Sequence, residues 1–447
     1  MSFFRKILPA VAIMFFLIHA TGSAQKFDEV MSSEALSPFW SVYGFGASAF
    51  TLLNNSQLAT DISSTQYNPA FLTNIKRPKA SISGKSISVK QLSTLADVGK
   101  EYSASANEFY IDYIGFAYPV PVFQGSFVMS ASYTPAAYYY SSSYSKGITG
   151  TTFYDEDDDG NTVTHVLDTD LEYDVRENGS IDVVRIAGAV EFMKNFNMGM
   201  SLNFYNGERN YLSSEICTDI YDTLGVSSII YTENIKPSYS GVNADFGLCY
   251  QSDNYKLGLR ISTPLNMSVH EVSEFIEEYT DDDDTTTIYP DPYDFKYKTR
   301  YPLEIGTNFA IKIAKVTLGI DLVFHNWQKI EVDLLEDKTA INRDLYWNLR
   351  NTTDISASIA VPFGNSFSTR FAYRLVQSPY AELADSDEEY YHVIGANVET
   401  ILNKSVIIGC SYQRGFGNLS NYYPYFETTT KQKYTEDRLA LSLAVLF

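Results

Sequence analysis

From Ser81 to the last residue, apolar side chains recur at every second position, in segments joined by connectors that are alternately short and long. A period of two puts one set of side chains on each face of a β-strand. The last segment, RLALSLAVLF, shows it best: Leu439, Leu441, Leu443, Val445 and Phe447 share one parity, and Arg438, Ala440, Ser442 and Ala444 the other. About fourteen such segments run from 80–91 to 437–447, most long enough for a membrane strand of about 9–11 residues. Turn-like links at 120–124, 194–195, 252–253, 314, 362–365 and 403 alternate with polar or acidic links at 92–107, 141–179, 213–236, 270–299, 333–348, 378–388 and 417–436. Short periplasmic turns and long extracellular loops are the pattern of a transmembrane β-barrel. Two packed sandwiches would also give many short strands, but nothing in them requires loop length to alternate. The expectation is an all-β fold, an antiparallel transmembrane barrel of about fourteen strands with both termini periplasmic.

Composition agrees. Mean hydropathy is −0.16, too polar for a bundle of membrane helices, whereas lipid-facing and lumen-facing residues of a barrel average out. Aromatic residues make up 15%, with 35 Tyr and 28 Phe, and a barrel places them as girdles at the two membrane interfaces. The net charge of −21 excludes a nucleic-acid partner, whose phosphates need Lys and Arg. Cys217, Cys249 and Cys410 have neither metal spacing nor a disulfide framework.

Residues 1–24 read as a signal peptide: Arg5 and Lys6, a short apolar run from Ile7 to Ile18, then Gly22-Ser23-Ala24 as the cleavage site. An alternating last strand ending in Phe resembles the signal read by outer-membrane barrel assembly machinery, an expected partner during biogenesis. Residues 25–79 lack sustained alternation. A fourteen-strand barrel is wider than its own side chains fill, so this stretch is expected to enter it as a hatch, with the barrel at 80–447.

The run SVYGFGASAF…LATDISSTQYNPAFLT is similar to the N-terminal hatch of the FadL/TodX family of outer-membrane transporters of hydrophobic compounds, through Gly44, Gly46, Ala47, Ala59, Asp61, Tyr67, Asn68, Pro69 and Ala70. LGLRISTPLNMSV (Arg260, Ser262, Pro264), the hairpin with Pro302, Gly306, Asp321 and Trp327, and FSTRFAYRLVQSPY (Arg370, Tyr373, Ser378, Pro379) resemble later family segments in the same order. The resemblance implies diffusion-driven uptake of a hydrophobic or amphipathic small molecule, such as a long-chain fatty acid, past the hatch. It also implies a kinked third strand that opens the wall toward lipid, and Pro135, which removes a ladder donor in that strand, is the candidate. The plain alternative puts Pro135 in the strand's extracellular extension.

Parity directs Arg185, Glu191, Arg260, Glu304, Asp321, His325, Arg370, Arg374, Glu399 and Arg438 into the lumen. Arg185, Arg260, Asp321, Arg370 and Arg374 are the candidates there, either to meet a substrate carboxylate or to form an ion-pair lattice across the barrel. Both signs occur in similar number, which favours the lattice. Asp155, Asp157 and Asp159, followed by Gly160, begin a calcium-loop pattern, but its twelfth position is Val166 where Glu is needed, so calcium competes with a solvated acidic loop. Acidic loops also fit ion bridges to lipopolysaccharide, with outer-membrane lipid as the other surface partner. No nucleophile elbow, zinc-spaced set or phosphate loop is present, so no enzyme is expected. The alternative function is a non-transporting barrel that docks or shuttles components of a protein secretion system, as in the type IX pathway.

Overall fold

The computed structural model describes residues 62–447 except 96–99, 157–161, 221–226, 282–283, 334–337, 365, 382–383, 385, 387–388 and 424–427. The proposed signal peptide and Gly44 and Gly46 lie outside the described residues, as do Asp157 and Asp159, while Asp155 falls in a strand.

All strand pairings are antiparallel, and the sheet closes on itself. The first strand, β1 (Lys79–Leu95), pairs on one side with β2 (Glu101–Val120) and on the other with β19 (Thr428–Leu446), from Lys79↔Leu446 to Leu95↔Thr430. Nineteen strand segments make fourteen staves, because some staves are interrupted. One stave is β3 (Phe127–Tyr138) followed by β4 (Ser141–Glu156). The next three are unbroken: β5 (Thr162–Met193), β6 (Phe196–Asp219) and β7 (Ser228–Gln251). Pro264 separates β8 (Tyr255–Ser262) from β9 (Leu265–Asp281), and both pair with β7. The following stave holds β10 (Asp284–Ile288), β11 (Tyr293–Tyr301) and β12 (Glu304–Ile313), with Pro302 at the second break. Proline lacks the ladder donor, which is why the staves break there. A 3-10 turn, Trp327–Lys329, divides β13 (Val316–His325) from β14 (Glu331–Asp333). The remaining staves are β15 (Thr352–Phe363), β16 (Phe367–Gln377), β17 (Tyr390–Leu402), β18 (Val406–Tyr423) and β19.

The outer face is apolar over a band near the short turns. Met198, Met200, Leu202 and Phe204 of β6, Leu257, Leu259 and Ile261 of β8, and Leu439, Leu441 and Leu443 of β19 are all exposed. A continuous apolar belt of this extent is stable only against lipid. The inner parity is polar and buried: Ser201 and Asn203, Asp354 and Ser356, Arg370 and Arg374. The short turns reverse tightly, and Asn403 (φ 51°) and Lys404 (φ 59°) both adopt the left-handed conformation of a two-residue hairpin turn.

At the long-loop end the structure corrects the sequence reading. The connectors expected at 141–179, 213–236, 270–299 and 417–436 are largely strand, because β4 to β7, β9, β18 and β19 continue past the apolar belt in register. These stretches are rich in Thr, Tyr, Ile and Val, which favour extended backbone once a neighbouring strand supplies the ladder. The link 333–348 also holds a helix, α1 (Lys338–Asn348). Its Ile341 and Leu345, four apart and on one face, are buried inward. The Asn342 amide accepts from Val332 N at 2.7 Å and donates to Val332 O at 2.8 Å, so α1 completes the hydrogen bonding of β14.

Candidate functional site

Residues 62–74 lie against the inner wall at the short-turn end. They form two 3-10 helices, Ile62–Gln66 and Pro69–Asn74. Ile62, Leu72 and Ile75 pack with Tyr113, Ala117, Val128, Ala187 and Ala189 of β2, β3 and β5. Asn68, completely buried, holds the joint between the helices. Its Oδ1 accepts from Ala70 N at 3.0 Å as a helix cap, and its Nδ2 donates to Leu248 O at 3.1 Å and Leu259 O at 3.2 Å on β7 and β8. The wall beneath is hollowed by glycines. A Cβ on Gly199 would stand 2.5 Å from Ala70 N and from Pro69 C, one on Gly247 2.1 Å from Asn68 Oδ1, and one on Gly258 3.0 Å from Asn68 Nδ2 and from Phe71 Cζ. Gly199 and Gly247 are direct cross-strand partners. The Asn68-Pro69-Ala70 turn therefore sits in a seat that any side chain would obstruct. The turn was visible in the sequence, but its seat was not, because Gly199, Gly247 and Gly258 fall on three strands and are brought together only by register.

Above this segment is a cavity of about 190 Å³. Gln66 and Tyr67 contribute from the segment, and Leu265, Met267, Tyr301 and Trp327 give an apolar side. That side belongs to a larger cluster in which Ile330, Val332, Ile341 and Leu345 of the β14–α1 region close the lumen from the long-loop end. The opposite side is charged. A row of ion pairs crosses six wall strands: Asp245 on β7 is 4.0 Å from Arg260 on β8, and Arg260 pairs with Glu304 on β12. Glu304 is 3.0 Å from His325 on β13, which is 3.6 Å from Asp354 on β15, and Asp354 meets Arg374 on β16 at 2.6 Å. Arg260 also donates to Gln66 O at 3.0 Å, tying the row to the inner segment.

Of the lumenal candidates, Arg185, Arg260 and Arg374 line the cavity. Arg260 and Arg374 belong to the ion-pair row, as the lattice reading expects. Arg185 is different: it is 5% exposed, donates to Asn203 Oδ1 at 2.7 Å, and has no carboxylate within 4.0 Å among the described residues. Arg370 is turned to a separate pair with Glu399 at 3.0 Å, and Asp321, buried between Asn308 and Ser356 on the neighbouring strands, is likewise absent from the lining. Asp245 and Asp354 complete the row and were missed, although both share the polar, inward parity of their strands. Asp112 was hidden more deeply. Simple alternation from Ile114 and Phe116 would face it toward lipid, but a register shift between β1 and β2 at Ser83/Gly84 turns it inward, where Lys85 lies at 2.5 Å and both side chains are wholly buried.

Pro135 marks an irregularity in the wall. The β3–β5 register shifts between Pro135 and Ala137, and the β2–β3 ladder ends at Ile114↔Tyr133, so β3 has left β2 where Pro135 begins. The Thr134 hydroxyl, donating to Asp112 O at 3.2 Å, bridges the first step of that separation. Thr134 and Ala136 both line the cavity, which therefore reaches the wall at the place where the ladder stops.

Several solved structures share this fold. The toluene transporter TodX of P. putida aligns at a TM-score of 0.59 with 12% identity, covering 91% of this chain and 99% of that one. The CymD monoaromatic hydrocarbon channel aligns at 0.54 with 11% identity, covering 91% and 98%, and a Pseudomonas aeruginosa FadL homologue at 0.52 with 12% identity, covering 90% and 98%. No curated protein matches the sequence. A family model described as BamG matches residues 4–375, most of the chain, and the protein accordingly belongs to the BamG family.

Proposed function

We propose that this protein lies in the outer membrane and admits small amphipathic molecules through its barrel, with residues 25–79 as the hatch and the β2–β3 separation as a side door. The observation that carries this reading is the cavity's position, because it meets the wall at Thr134 and Ala136, where β3 parts from β2. The apolar side, with Leu265, Met267 and Tyr301, suits a hydrophobic body, and Arg185, a buried guanidinium without a carboxylate partner among the described residues, suits an anionic head. At about 190 Å³ the enclosed space is below the 300–1,000 Å³ of drug-sized sites, so one ring or a short chain fits it better than an extended long-chain fatty acid. TodX, a toluene transporter, and CymD, a monoaromatic hydrocarbon channel, are in keeping with that size.

The test is uptake of a radiolabelled aryl carboxylate into cells or vesicles carrying the protein, with mass spectrometry of small molecules retained after detergent extraction. Deleting Ala136 restores the β3–β5 register and is expected to reduce uptake at least tenfold while the barrel still folds. Arg185→Gln is expected to weaken uptake of the acid more than that of its neutral amide. Undiminished uptake in both variants refutes the reading.

A docking role in protein secretion is the second reading, and one observation favours it. The β14–α1 region buries Ile330, Val332, Ile341 and Leu345 in one cluster, while Tyr346 and Trp347 of α1, edge to face at 5.5 Å, are exposed, Trp347 by 71%. Under this reading Trp347→Ala abolishes recovery of a protein partner after cross-linking and leaves small-molecule uptake unchanged.

A further inference from the structure

The chain is acidic, at −21, yet its short-turn end is basic. Lys76 and Arg77 precede β1, Lys194 lies in the β5–β6 turn, Lys312 and Lys315 flank the β12–β13 turn, and Lys404 sits in the β17–β18 turn, all exposed. Arg77 donates to the Lys404 carbonyl oxygen (3.0 Å) and to a carboxylate oxygen of the terminal Phe447 (3.3 Å), which ties it to the turn that carries Lys404. Against them the described turns offer Asp253 and Glu191, and Glu191 is engaged by Asn195 N at 3.2 Å.

The other end of the barrel is balanced differently. There several exposed cations have a carboxylate of the chain beside them: Lys146 with Asp170 at 3.2 Å, Arg176 with Asp174 at 2.6 Å, Lys236 with Glu274 at 3.6 Å, and Lys338 with Asp333 at 2.9 Å. Arg77 has the terminal carboxylate, while Lys76, Lys194, Lys312, Lys315 and Lys404 have no carboxylate within 4.0 Å among the described residues, which leaves these five lysines open to a counter-charge from outside the chain. The rim also continues an aromatic girdle. Phe192, Phe196, Tyr250 and Tyr255 form an outward chain with ring centroids 6.2, 4.7 and 5.7 Å apart, and Phe363 and Phe367 stand 5.8 Å apart at another turn. Aromatic rings of this kind rest at headgroup depth, which sets the neighbouring lysines at the level of lipid phosphates.

We infer that the short-turn rim is a binding surface for the phosphates of anionic phospholipids in the leaflet it faces. Acyl chains lie on the apolar belt, glycerol backbones meet the aromatic girdle, and Lys194, Lys312, Lys315 and Lys404 extend to the phosphates. A cation near an anionic membrane surface contributes about fivefold in binding. Removing four is therefore expected to cost at least about tenfold, and raised salt to narrow the difference.

The experiment uses the full barrel in nanodiscs of phosphatidylcholine doped with phosphatidylglycerol, with native mass spectrometry counting the lipids retained on release. Wild type is expected to retain phosphatidylglycerol over phosphatidylcholine. A variant with Lys194→Gln, Lys312→Gln, Lys315→Gln and Lys404→Gln is expected to lose at least tenfold of that preference while keeping its heat-modifiable gel mobility, the sign of a folded barrel. A control carrying Lys146→Gln, Arg176→Gln, Lys236→Gln and Lys338→Gln, the same charge change at the balanced end, is expected to behave as wild type. Equal retention by wild type and rim variant overturns the proposal. So does an equal loss in the control, which marks a net-charge effect, and so does displacement of the lipid by inorganic phosphate, which marks a free-anion site. None of these outcomes depends on whether the barrel transports anything.

Discussion

Replacing Gly199 by alanine tests the seat of the Asn68-Pro69-Ala70 turn most directly. Alanine suits a strand better than glycine, so on the wall alone the change should stabilise by a few tenths of a kcal/mol or more. The new Cβ, however, would stand 2.5 Å from Ala70 N and Pro69 C and 2.7 Å from Pro69 O, all backbone atoms that cannot swing aside. Restoring ordinary contact lifts the turn by about 1 Å, since non-bonded heavy atoms prefer about 3.5–4.0 Å. Asn68's bonds to Leu248 O and Leu259 O, at 3.1 and 3.2 Å, are then broken, at about 1 kcal/mol each. Overpacking adds about 1–3 kcal/mol. The sum, about 3–5 kcal/mol, corresponds to a shift of roughly 10²- to 10³-fold or more in the docking equilibrium of residues 62–74. Hydrogen exchange across that stretch is expected to accelerate accordingly while β15 to β18 keep their protection, and single-channel conductance in planar bilayers is expected to rise. Gly188→Ala, whose Cβ meets nothing closer than 3.9 Å, is the control. If Gly199→Ala leaves protection and conductance equal to those of Gly188→Ala, the seat does not hold the segment.

Two further perturbations address the wall. Lys85→Met strands the Asp112 carboxylate in a wholly buried position and is expected to destabilise the barrel by about 3–5 kcal/mol in urea-driven unfolding from vesicles, with Lys85→Met/Asp112→Leu recovering most of the loss; equal stability of the single variant and wild type would show that the pair is immaterial. Ala314 holds φ 55° in the β12–β13 turn, so Ala314→Gly is expected to relieve strain and stabilise by up to about 1 kcal/mol in the same assay, and a loss of stability would contradict the turn geometry.

The number of staves, their antiparallel order, the positions of the short turns and the inward parity of Arg185, Arg260, Arg370 and Arg374 were all legible in the sequence. Each follows from a period-two pattern read locally along one strand, and such a pattern is enforced wherever one face meets lipid and the other does not. The pattern loses force above the belt, where both faces are polar, and there the sequence reading assigned loops to stretches that the structure shows as paired strand. What only the tertiary structure decided depends on register between strands distant in sequence. It joins Gly199, Gly247 and Gly258 into one seat for Asn68, links Asp245 to Arg374 through four intervening polar side chains, and turns Asp112 inward at a bulge that parity cannot foresee. A strand's own residues fix which way each side chain points, but its height against a neighbour is set by the closure of the whole barrel, and the cavity exists only at that level.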